Sequence, residues 1–61
     1  MLEFCKQVLL KVSFDKDLFK KELKKMISLL KKEEIVMLQL WCIATFGHQY
    51  GALIQEVFSV I

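Results

Sequence analysis

Cys42 and His48 are the residues to weigh first, because a thiol beside an imidazole is a recurrent nucleophilic unit. They stand six positions apart, a spacing that does not bring two side chains to one helical face. The residues around Cys42 are apolar, which raises a thiol pKa and blunts its reactivity. No group that would orient the imidazole stands out. Metal chemistry fares no better, since Cys5, Cys42 and His48 are scattered singles without a CxxC or HxxxH spacing. Glu33 and Glu34 are neighbours, so on a helix they point about 100° apart and do not form a carboxylate pair. Asp15-Lys16-Asp17 opens like a calcium loop but lacks the glycine and the distant glutamate such a loop needs. A glycine-rich phosphate loop is absent too. The expectation is a protein that is not an enzyme, with no catalytic residue, cofactor or metal.

A second kind of chemistry is electrostatic. All nine basic residues are lysines, none beyond Lys32, and there is no arginine. Residues 1–34 carry nine lysines against six acids, a net of +3, whereas residues 35–61 carry only Glu56. Lys20, Lys21, Lys24 and Lys25, with Lys31 and Lys32 if their helix extends, form a candidate anion-binding face. Arginine, the residue suited to bidentate contact with phosphate and guanine, is missing. Aromatic residues that would stack bases are not interleaved with the lysines, and a pI near 8.6 falls short of a strongly basic domain. The first reading of this face is a solvated surface that keeps an oily chain in solution. A small basic nucleic-acid-binding protein is the alternative.

The chain has 61 residues, 56% of them hydrophobic, and a mean hydropathy of +0.44. That composition excludes intrinsic disorder, and the length excludes a multidomain enzyme. One domain over 1–61 is expected, since there is no proline and no Pro/Gly/Ser linker. Two cysteines are too few for a disulfide framework, and Glu3 and Lys6 interrupt any leader-like start. A reduced, cytoplasmic protein is therefore expected. Residues 35–55 are free of Asp, Glu, Lys and Arg, long enough on paper for a bilayer. Their strongly apolar part, however, stops at Phe46 and contains Gln39, which fits a core helix better than a span. A membrane-associated peptide using residues 35–61 is the weaker alternative.

These residues must be positioned by helices, because the apolar residues recur at helical spacing. Over 2–12, Leu2, Cys5, Val8, Leu9 and Val12 share one side, with Phe4 and Leu10 flanking. Asp15 is placed to cap a second helix over 16–30. Phe14 and Phe19 stand at the spacing of a hydrophobic staple across that cap. Lys31-Lys32-Glu33-Glu34 suits one helix ending and another beginning. Residues 33–46 are apolar around nearly the whole wheel. Gly47 is placed for a left-handed C-cap, and a last helix over 50–60 presents Tyr50, Leu53, Ile54, Val57, Phe58 and Ile61 on one face. The fold expected is all-α, a small three- or four-helix bundle.

A 61-residue monomer does not easily surround a helix that lacks a polar side. An oligomer, with a homodimer first in line, is expected to supply the missing cover. Leu38, Trp41, Cys42, Phe46, Leu53, Val57 and Phe58 are the candidate interface residues. Gln39, the polar intruder, either sits at an exposed seam or hydrogen-bonds across that interface. The function expected is a self-associating interaction or structural module.

Overall fold

Asp15 sets the first turn of the architecture. Its carboxylate accepts hydrogen bonds from the backbone N–H groups of Asp17 (3.0 Å) and Leu18 (3.2 Å), satisfying donors that the opening of a helix leaves free. In the computed structural model, which describes residues 1–59, three helices pack together: α1 (Leu2–Val12), α2 (Lys16–Leu29) and α3 (Lys32–Phe58). The break between α2 and α3 falls at Leu30-Lys31, just before the lysine-to-glutamate switch, so the two lysines open α3 and do not close α2. Leu30 is extended, and Glu34 accepts the backbone N–H of Lys31 at 3.2 Å. That reach-back is the acidic half of a capping box.

Each of the first two helices buries the centre of its apolar stripe, while Leu18 (40%) and Leu29 (55%) of the α2 set stay exposed. Cys5 and Leu9 of α1 and Phe19, Leu23 and Met26 of α2 are buried. Leu2, Val8, Val12 and Ile27 pack partly against them. The Phe14–Phe19 staple is not what buries Phe19, because Phe14 remains 80% exposed. Phe19 is instead held by rings from α3, stacked on Tyr50 (4.6 Å between centroids) and edge-on to Phe46 (4.9 Å).

The expected last helix is present beyond a kink at Tyr50, but the expected break at Gly47 needs correction. Neither Gly47 nor Gly51 takes a positive φ, so Gly47 does not cap anything. The helix runs on to Phe58, with one residue out of helical geometry, Tyr50 (φ −128°, ψ 27°). The physical reason is that nothing between Lys32 and Phe58 lacks a backbone donor, there being no proline, and glycine only weakens a helix. The bend is nevertheless large. A straight helix of 27 residues would span about 40 Å, whereas the longest extent of the molecule is 26 Å. The bend divides α3 into a proximal arm, 32–49, and a distal arm, 51–58.

Tyr50 anchors the bend. Its ring is buried on Phe19 and its hydroxyl donates to the Ser13 carbonyl at 2.6 Å. The distal arm buries Leu53, Ile54, Val57 and Phe58 and leaves Ala52, Gln55, Glu56 and Ser59 exposed, as its spacing requires. Ile61 and the expected end at residue 60 lie outside the described residues.

Candidate interaction surface

The groups with chemical potential are mostly absorbed by the fold. Cys5 and Cys42 are free thiols buried in the core. Burial pushes the Cys42 thiol up to about 12, because a thiolate there would lose its hydration. Burial also raises Cys5, a rise partly offset by the nearby amino terminus. His48 is exposed, about 120° around the helix from Cys42, so the two are not brought together. Asp15 caps α2 and Glu34 caps α3, which gives both acids structural work. Among the described residues no three His, Cys, Asp or Glu side chains cluster closely enough for a metal ion, and no cavity is present.

The lysine face is a surface of α2. Lys21, Lys24 and Lys25 are exposed and Lys20 is half-buried, but α2 ends at Leu29, so Lys31 and Lys32, also exposed, stand at the start of α3 and do not extend this face. Lys20 reaches Glu56 of the distal arm at 3.9 Å, both side chains open to water, a pairing worth little by itself. Among the described residues no helix is long and apolar enough to cross a membrane.

The candidate interface residues prove to be interior. Leu38, Cys42, Phe46, Leu53, Val57 and Phe58 are all buried within the chain's own core. Trp41 is half-buried, its ring edge-on to Phe46 at 5.5 Å and covered by the Lys6 ammonium at 5.8 Å. Part of the apolar surface that remains is carried by their neighbours, and the rest by Met1, Phe4, Leu10, Phe14, Leu18 and Leu29. Val36 (52%), Met37 (56%), Leu40 (64%) and Ile43 (45%) are exposed, as is Ala44.

These five lie on one side of the proximal arm. Leu38, Cys42 and Phe46 mark the buried side, and at 100° per residue the exposed set falls directly opposite. Gln39 is half-buried at the border between the two sides, the seam position. The signal for this outer stripe was present in the sequence as a second helical repeat. A helix apolar on every side does not say which stripe its own bundle takes. Compared with known protein families, curated proteins and solved structures, the chain matches none.

Proposed function

We propose that this chain is a non-catalytic helical module whose role is exercised by self-association. The observation that carries the reading is the outer side of α3. Four large aliphatic side chains, from Val36 to Ile43, face water on the helix that also supplies much of the core. Large contiguous apolar surface on a small domain is a mark of an interaction site. Burying it against another copy would add to the limited interior a domain of this size can build.

The lysines of α2 complement this role under the same reading. They face solvent and would keep a chain with exposed aliphatic surface soluble. Two free buried thiols accord with a reducing compartment such as the cytoplasm. Sedimentation across low to hundreds of micromolar, in dilute buffer without detergent, tests the proposal. A discrete oligomer is expected, and a monomer throughout that range would overturn it.

A further inference from the structure

Gly47 is not required by the fold it belongs to. Its φ is not positive, and a Cβ added there would meet only Ile43 Cγ2, at an ordinary 3.9 Å. A helix-interior glycine is nonetheless unfavourable relative to alanine. Gly47 continues the outer stripe: Val36, Leu40, Ile43 and Gly47 follow at steps of four, three and four, with Met37 and Ala44 beside them. That alternation is the spacing of a two-helix seam. Bulk falls along it, from valine, methionine and leucine at the start to alanine and glycine at the end.

We propose that this stripe is the site at which a second copy of the chain docks, with the two proximal arms antiparallel about a two-fold axis near Leu40 and Ile43. The proposal rests on the self-association reading and deepens it by naming the surface and the orientation. Antiparallel packing sets Val36 of one copy over Gly47 of the other and Leu40 against the other copy's Ile43. The bulky end of each arm thereby fills the small end of its partner, which lets the backbones approach closely. Charge selects the same orientation. In a parallel pair Glu33 would face its own copy, a like-charge contact. In the antiparallel pair Glu33 of one copy instead meets the far end of the other's proximal arm, Gly47-His48-Gln49, which holds no Asp or Glu.

Charge also disfavours a lipid surface as the occupant. An interfacial helix flanks its apolar stripe with basic residues, whereas α3 has no lysine after Lys32. The lysines of α2 are carried by a different helix from the stripe. The stripe from Val36 to Gly47 contains no lysine, so two copies can meet on it without bringing lysines together.

The test is sedimentation equilibrium of the full chain beside Leu40→Glu, Gly47→Leu and, as a control, Phe14→Ser, with circular dichroism to report the fold. Leu40→Glu is expected to stay helical and weaken dimerisation by at least 100-fold. Gly47→Leu is expected to melt no lower than wild type at concentrations where both are monomeric, yet dimerise at least tenfold more weakly. Phe14→Ser is expected to dimerise as wild type does. Wild-type self-association unaffected by Leu40→Glu and Gly47→Leu would overturn this surface and leave the self-association reading standing. A monomeric wild type would overturn both. Loss with Leu40→Glu but none with Gly47→Leu would overturn the antiparallel register. A monomer that pellets with anionic phosphatidylserine vesicles, and loses that binding with Leu40→Glu, would assign the stripe to lipid and overturn the proposal.

Discussion

The Cys42 thiol lies in the core among the side chains of all three helices, where water does not solvate a thiolate. Its pKa is pushed from 9.0 up to about 12 for that reason. The same burial that removes Cys42 from nucleophilic chemistry ties it to stability. An unfolded chain releases the thiol proton near pH 9 while the folded chain retains it, so the stabilisation is complete below pH 9. It is lost progressively as pH rises towards the folded value. Between pH 8 and pH 10 the loss from this one group is about 1.4 kcal/mol, and the raised Cys5 acts in the same direction. Urea unfolding at the two pH values should show it as a steeper fall for wild type than for Cys42→Ala. Parallel losses in the two proteins would mean that the thiol ionises as readily folded as unfolded.

For the helices, legibility follows the contrast between faces. In α1 and α2 lysines and acids alternate with apolar residues, so the period finds Cys5, Leu9, Phe19, Leu23 and Met26, which are buried, although it equally marks Leu18 and Leu29, which are exposed. Asp15 was equally readable, because an acid before a helical run has one strong local use. The proximal arm of α3 lacks that contrast. Its spacing supports an inward Leu38-Cys42-Phe46 stripe and an outward Val36-Leu40-Ile43 stripe equally well, and only packing against α1 and α2 selects between them. Gly47 and Gly51 were ambiguous for a related reason, since glycine permits a stop, a bend or a close approach. The bend itself is set by contacts 37 residues apart in sequence, through Tyr50 and the Ser13 carbonyl, which no local pattern encodes. Tyr50→Phe keeps the ring on Phe19 and removes only the hydroxyl. It should cost about 1 kcal/mol in urea unfolding, and full wild-type stability would show that ring packing alone holds the bend.

Two surfaces of the molecule differ sharply in character, and Phe4, Leu10 and Phe14 add exposed apolar area outside both. The outer side of α2 carries lysines, and the outer side of α3 carries aliphatic residues that its own core does not reach. A domain of 61 residues buries a modest share of its surface, so cover gained from a second copy is a large addition to a small total. Association of this kind couples to folding by mass action, because only the folded chain presents the stripe. If two folded copies unfold together, a 100-fold rise in concentration above the dissociation constant stabilises each copy by about 1.4 kcal/mol, half of RT ln 100. For a domain of this size that corresponds to roughly 5–10 °C in Tm. Thermal melts followed by circular dichroism at the two concentrations should show the shift for wild type and none for Leu40→Glu. A wild-type Tm that does not move, at concentrations where sedimentation finds an oligomer, would mean that the assembly leaves the fold's stability untouched and that the α3 stripe is not what it buries.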